Sequence, residues 1–216
     1  MLFRSRLQIF DMKRLLSIDP QKDCIDPRYC MELKYDVLHP GSQRYRIKAS
    51  HNIVANEESN FVYVVGGSDD NCDGGLHAVD VSDPLNPVSV GCFSDEGYVH
   101  DAQCVNYNGP DSEFNKLDHE ICFCFNEDSI AIVDVTDKNN MSLISKAYYN
   151  RAEYTHQGWL SSDHTHIVLS DEWDEYSEVA SKTRTLVLNV EDLRNPYHSG
   201  DYWGKTKAID HNQYVM

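Results

Sequence analysis

Four segments of this 216-residue chain read alike: KASHNIV at 48–54, YVHDAQCV at 98–105, YTHQGWL at 154–160 and AIDHNQYV at 208–215. Each has a histidine followed by Asn, Asp or Gln and then an apolar-rich stretch. The histidines are His51, His100, His156 and His211, spaced by 49, 56 and 55 residues. A second set of marks runs in the same register. LQIFDM (7–12), LHAVDVSDPLNP (76–87), IAIVDVTDKNN (130–140) and TLVLNVEDLRNP (185–196) each end an apolar run in Asp or Asn, aligned at Asp11, Asp80, Asp134 and Asn189. The intervals Asp80–His100, Asp134–His156 and Asn189–His211 are 20, 22 and 22 residues. Two independent marks that hold one phase define an internal repeat. Asp11 to His51 is 40 residues, so an irregular insertion is expected at about 17–42, where SIDPQKDCIDPRYC and LHPGSQ are rich in turn formers.

Each unit divides into four strand-like runs separated by turn chemistry. In the first, HNIVA, FVYVVGG, LHAVDV and VSVGCF are split by NEESN, SDDNCDGG and SDPLNP. The second gives DAQCVNY, EICFCF, IAIVDV and LISKAYY, and the third THQGWL, HIVLS, TLVLNV and YHSGDYW. Val, Ile, Tyr and Phe dominate these runs, and their alternation suits strands. No long run has helical periodicity, although MKRLLSI after Asp11 suits one short helical turn. A repeated four-stranded unit of ~50 residues reads as a β-propeller blade. A β-sandwich has strands at similar spacing but no reason to repeat a His–polar pair in phase. The expected fold is all-β: a partial β-propeller of four-stranded antiparallel blades, three complete with partial terminal blades. Residues 1–50 form a partial blade with the insertion, 51–98, 99–154 and 155–209 the complete blades, and 210–216 the first strand of a further one.

SHNIV, GGLHAVDVSDPLNP, GCFSDEGYVHDAQCVNYNGPD, EICFCFNED, IVDVTD, YTHQGWL and IDHNQYV together resemble the LVIVD-repeat β-propellers, specifically the choice-of-anchor B family. The resemblance covers roughly residues 45–216, with LQIFDM as a shorter match upstream. It implies a secreted or cell-surface propeller, tethered in different members by different C-terminal anchors, and it assigns no activity. The chain departs from that pattern. It opens near the third strand of a unit and stops at Met216 inside the first strand of another, so an incomplete chain is expected, with the anchor outside it. MLFRSRLQIFDMKRLL is basic but lacks the apolar core and cleavage site of a signal peptide.

Charge narrows the partners. With 19 Lys and Arg against 35 Asp and Glu, the net charge is −16. Phosphate backbones are repelled, so no nucleic-acid partner is expected, and anionic membrane is disfavoured in the same way. No apolar run approaches the ~20 residues that span a bilayer. A protein or small-molecule ligand at one propeller face is the expected partner.

The in-phase histidines are the main candidate for chemistry. Equivalent inner-strand positions would turn His51, His100, His156 and His211 towards a shared axial region. A structural ring, each imidazole bonding the neighbouring blade's backbone, is the first reading; a transition-metal site, Cu or Zn, is the second. Asn52, Asp101, Gln157 and Asn212 follow the four histidines and would orient rings or bound water. His39, His77, His119, His164, His166 and His198 break the phase and read as surface or packing residues, although His164 and His166 have the spacing of a chelating pair on one strand face. Asp69, Asp70 and Asp73, with Asn71, beside Gly74 and Gly75, form a candidate Ca²⁺ loop, and Asp171, Glu172, Asp174, Glu175 and Glu178 form a denser cluster. Solvated surface is the first reading of both. Nucleotide-loop, nucleophile-elbow and zinc-helix motifs are missing from the sequence, and no catalytic residue is assigned.

Seven cysteines leave at least one unpaired. A bridge from Cys104 to Cys122 or Cys124 is open across adjacent strands, as is one between Cys24 and Cys30. Export would oxidise some of Cys72, Cys92, Cys104 and Cys122. The function expected from all this is an exported or cell-surface binding scaffold. The alternative is a metal-dependent enzyme, an oxidoreductase, with its histidine-lined site at the channel mouth.

Overall fold

The computed structural model describes residues 7–9, 13, 33–34, 47, 49–67, 72–116 and 118–216. Among them no α-helix occurs, and three four-stranded antiparallel sheets with their connecting loops run from residue 52 to residue 203. A short pair comes first, β1 (Gln8–Ile9) with β2 (Leu33–Lys34). Sheet one holds β3 (Asn52–Asn56), β4 (Phe61–Val65), β5 (Leu76–Asp80) and β6 (Val88–Phe93). Sheet two holds β7 (Asp101–Asn106), β8 (Glu120–Phe125), β9 (Ile130–Asp134) and β10 (Ser142–Ala147). Sheet three holds β11 (Thr155–Leu160), β12 (His166–Asp171), β13 (Arg184–Asn189) and β14 (Tyr197–Trp203). Each sheet is a simple meander whose first strand is one edge and whose fourth is the other. The strand-like runs of the sequence coincide with these elements. The insertion expected at about 17–42 contains β2; the rest of it, and all of MKRLLSI except Lys13, lies outside the described residues.

Alternation explains the layering. In β8 every residue is buried, because successive side chains enter two different cores. Ile121, Phe123 and Phe125 face Ile167, Leu169, Leu186 and Leu188 of sheet three. Cys122 and Cys124 face Tyr63, Val65, Leu76 and Ala78 of sheet one. Sheet two is therefore the filling between its neighbours, and a one-residue slip in β8 would exchange the two sets. The first strands follow suit: β3 lies against β7, and β7 against β11.

Polar contacts fix the spacing between layers. Glu120 is buried, and its Oε1 accepts from Tyr63 Oη at 2.7 Å and Ser59 Oγ at 3.1 Å, both from sheet one's side. Its Oε2 accepts from Lys138 Nζ at 2.9 Å. At Gly91 of β6 the approach is closer still: an added Cβ would sit 1.8 Å from the Lys138 carbonyl oxygen. Backbone, not a flexible side chain, blocks that space. Gly91→Ala is expected to cost about 3 kcal/mol through forced separation of the sheets. Urea denaturation checks this, and a loss below about 0.5 kcal/mol, the range of a neutral surface change, would contradict the close packing.

Two disulfides tie strands together. Cys104 and Cys122 stand directly opposite in the β7–β8 register and are bonded, with Cα atoms 4.0 Å apart. The register thereby selects Cys122 over Cys124, which faces Ala102 and remains a buried free thiol. Desolvation pushes that thiol's pKa up, which makes it a poor nucleophile. Cys72 and Cys92 form the second bridge. Closing loops of 20 and 18 residues is worth about 3 kcal/mol each. Cys24 and Cys30 lie outside the described residues. Alkylating the denatured, non-reduced protein should label Cys124 and spare Cys72, Cys92, Cys104 and Cys122 in peptide mass mapping. Labelling of all of these would reject both bridges.

Candidate metal centre

The first strand of each sheet delivers its histidine to one place. His51 immediately precedes β3 and donates its backbone N–H to Val65 O at 3.0 Å. His100 immediately precedes β7 and donates likewise to Phe125 O at 2.8 Å. His156 is the second residue of β11, and His211 follows β14. Their rings form a continuous row: the centroids are 4.0 Å apart for His51–His100, 4.3 Å for His100–His156 and 4.0 Å for His156–His211. His100 and His156 are buried, and His51 and His211 are exposed at the ends.

Each ring has two nitrogens with different work. His100 Nδ1 lies 2.9 Å from the His156 carbonyl oxygen. A carbonyl only accepts, so Nδ1 carries the proton and the neutral ring keeps its lone pair at Nε2. Backbone anchoring and metal ligation are thus compatible in one residue, because a ligating histidine commonly fixes its other nitrogen on a carbonyl. His156 repeats the arrangement less tightly. The His211 carbonyl favours its protonated form, but no partner meets hydrogen-bond geometry at buried Nδ1. Desolvation, then the neighbouring His100 and His211, bring the His156 pKa down to about 4. Desolvation and His100 also lower that of His51. Neutral imidazole, the form that binds metal, is favoured at both.

A carboxylate completes the row. Glu172 Oε2 is 3.5 Å from His156 Nε2, and Oε1 is 3.9 Å from His211 Nε2. One ligand atom from each of these three residues lies within 4.8 Å of the others. Tetrahedral ligands at 2.0–2.1 Å from a zinc ion stand about 3.4 Å apart, so the 3.5 and 3.9 Å separations from Glu172 are close to those of ligands on one ion. Glu172 is reached because Asp171, fully buried at the end of β12, accepts from Tyr149 Oη, Glu153 N and Tyr154 N, each at 2.8 Å. That clamp binds the loop after β12 to the loop before β11. The β11–β12 register also shifts between Thr155 and Gln157, a bulge at His156 that re-aims its side chain.

Aromatic groups wall the row. Tyr154 meets His100 edge-on at 5.2 Å, stacks on Trp173 at 4.5 Å and donates its hydroxyl to Glu127 Oε1 at 2.9 Å. Gly66 has φ +60° and lies so close that a Cβ would sit 2.5 Å from His51 Cβ and 2.9 Å from Tyr98 Oη. Beside Glu172 an open cleft of about 320 Å³ is lined by Trp173, Tyr176 and Ile209.

The other sequence candidates lie elsewhere. Asp101 is buried, and the Gln157 side-chain amide donates Nε2–H to Gln213 O at 3.0 Å and accepts from Gln213 N at Oε1 at 2.9 Å, which braces β11 against the segment after β14. Asn52 and Asp101 also hydrogen-bond through their side chains, whereas Asn212 Oδ1 contacts His211 Nδ1. His164 Nδ1 accepts from Asn108 N at 3.2 Å, whereas His166 Nδ1 pairs with Thr165 Oγ1 at 2.8 Å. His119 pairs with Asp134 and His198 with Asp201. Asp69 and Asp70 lie outside the described residues; Asp73 is exposed. Glu172 is the residue that the repeat pattern does not mark. The hairpin register pairing Thr155 with Asp171 is the signal that places it beside His156.

No family model matches the chain, and no curated protein matches it.

Proposed function

We propose that this chain is part of a β-propeller that carries a mononuclear transition-metal centre at its inner strands, with His156, His211 and Glu172 as ligands. The observation that carries this reading is the convergence of those three groups within 4.8 Å. Two imidazoles and one carboxylate suit zinc or a redox-active ion, and three protein ligands leave a position for water or substrate. The consecutive stacking of sheets one, two and three, first strand against first strand, supports the propeller arrangement.

The cleft beside Glu172 offers Trp173, Tyr176 and Ile209 to an organic ligand with an apolar or aromatic part. A ligand seated there has its polar end next to the metal position. Function at the cell surface or outside the cell is part of the proposal, supported by the Cys72–Cys92 and Cys104–Cys122 bridges, since such bonds persist in oxidising compartments. Competitive titration with Zn²⁺, and with Co²⁺ as a spectroscopic substitute, tests the reading. One equivalent of Co²⁺ should produce visible d–d bands of a four- or five-coordinate nitrogen–oxygen site. Absence of stoichiometric uptake of either ion would overturn it.

A further inference from the structure

A second, chemically different cluster lies next to the histidine row. Asp174 and Glu175 sit in the loop between β12 and β13, and Asp210 follows β14 immediately before His211. One carboxylate oxygen from each lies within 4.8 Å of the others. Asp174 is fully buried, and its carboxylate oxygens meet no donor except across the contact with the neighbouring Glu175 carboxyl. Glu175 is tethered through Oε1, which accepts from Arg184 N at 2.7 Å, while its Oε2 is buried and has no donor. Asp210 Oδ2 accepts from Thr185 Oγ1 at 3.5 Å, while Oδ1 is likewise buried without a donor. Four buried acceptor oxygens from three side chains therefore crowd together with no donor from any other residue, and each such atom costs free energy unless something positive meets it.

Arg184 does not fill that role. Its Nη1 is 3.7 Å from Asp174 Oδ2, beyond a hydrogen bond, and its Nε faces Asp201 at 3.3 Å. Asp171 nearby is saturated by the donors of Tyr149, Glu153 and Tyr154. Apart from the one long Arg184–Asp174 ion pair, no cation among the described residues offsets the three crowded carboxylates. All-oxygen ligation excludes the soft and imidazole-seeking metals of the histidine row. Calcium accepts six to eight oxygens at 2.3–2.6 Å in irregular geometry, so oxygens on opposite sides of one ion stand about 5 Å apart. Magnesium prefers one or two carboxylates and retained waters in a strict octahedron.

We infer that Asp174, Glu175 and Asp210 form a Ca²⁺ site that holds the β12–β13 loop against the segment after β14. The same loop carries Glu172 and the same segment carries His211, so the ion fastens both to sheet three. The site stands on its own carboxylates and does not depend on the reading of the histidine row.

The test uses the whole chain stripped of divalent ions. Millimolar Ca²⁺ should raise the melting temperature by several degrees, and Tb³⁺ should bind with luminescence sensitised by Trp173 and be displaced by Ca²⁺. Asp174→Asn keeps the shape and removes one of the crowded charges, so the variant folds; it should weaken Ca²⁺ and displaceable Tb³⁺ binding at least 100-fold. Asp210→Asn, at a less enclosed position, should act in the same direction. Asp73→Asn and the His156→Ala/His211→Ala pair should leave the Ca²⁺ response intact, which separates this site from the other acidic loop and from the histidine row. A melting temperature indifferent to Ca²⁺, or a response unchanged in both Asp174→Asn and Asp210→Asn, would overturn the site.

Discussion

Replacing His156 and His211 together by alanine is expected to weaken Zn²⁺ binding by about 10,000-fold. Four-ligand structural zinc sites are worth about 10–16 kcal/mol, or about 3 kcal/mol per ligand, and each 1.4 kcal/mol is tenfold in affinity. Each single substitution should therefore cost about 100-fold. His156 Nε2 and His211 Nε2 both face Glu172, at 3.5 and 3.9 Å, so the two losses fall on one ion. Glu172→Gln should weaken binding while keeping the fold, since its backbone N–H to Tyr154 O is untouched. His198→Ala serves as a control, because His198 pairs with Asp201 on β14 and takes no part in the row. Competitive chelator titration reads all six proteins, the parent included. Equal affinity in the double variant and the parent would remove these residues from the ligand set.

Glu120→Ala should destabilise the protein by about 3–5 kcal/mol, the cost of breaking a buried ion pair from one side. The Lys138 ammonium, about nine-tenths buried, loses its partner at 2.9 Å, and the Tyr63 hydroxyl loses its acceptor at 2.7 Å. Burial, the largest cause of the raised Tyr63 phenol pKa, remains when Glu120 is gone, so Tyr63 does not compensate by ionising. Glu120→Ala combined with Lys138→Met should recover part of the loss, since the stranded charge goes with the second change. Equilibrium urea unfolding measures both. A single-variant loss under 1 kcal/mol would mean that Glu120 does not join sheets one and two.

The repeat was legible because equivalent strands place equivalent residues at equivalent points. His51, His100 and His156 enter at the start of β3, β7 and β11, and their phase is a direct imprint of that geometry. Alternating apolar residues marked the strands for the same reason. Asp174 stood in the denser acidic cluster but read first as solvated surface, and neither the pairing of Glu172 with the histidines nor any role for Asp210 was legible. They lie in loops, where acidic residues are usually solvated, and nothing in DEWDE separates the buried Asp171 and Asp174 from the neighbours that are not buried. Burial there is a tertiary effect: the β12–β13 loop closes on itself, with Ala180 N donating to Asp174 O at 2.9 Å, and Glu175 Oε1 ties it to Arg184 N of β13 at 2.7 Å. The choice of Cys122 for Cys104 needed the β7–β8 register, which spacing alone leaves open by two residues.

Anomalous diffraction from crystals grown with Zn²⁺, recorded on both sides of the zinc edge, tests the metal centre most directly. The account predicts one strong peak about 2.0–2.2 Å from His156 Nε2, His211 Nε2 and a Glu172 oxygen, with His100 Nδ1 still on the His156 carbonyl. No peak at that point, with the four rings held only by backbone carbonyls of neighbouring strands, would contradict it and leave the histidine row as packing.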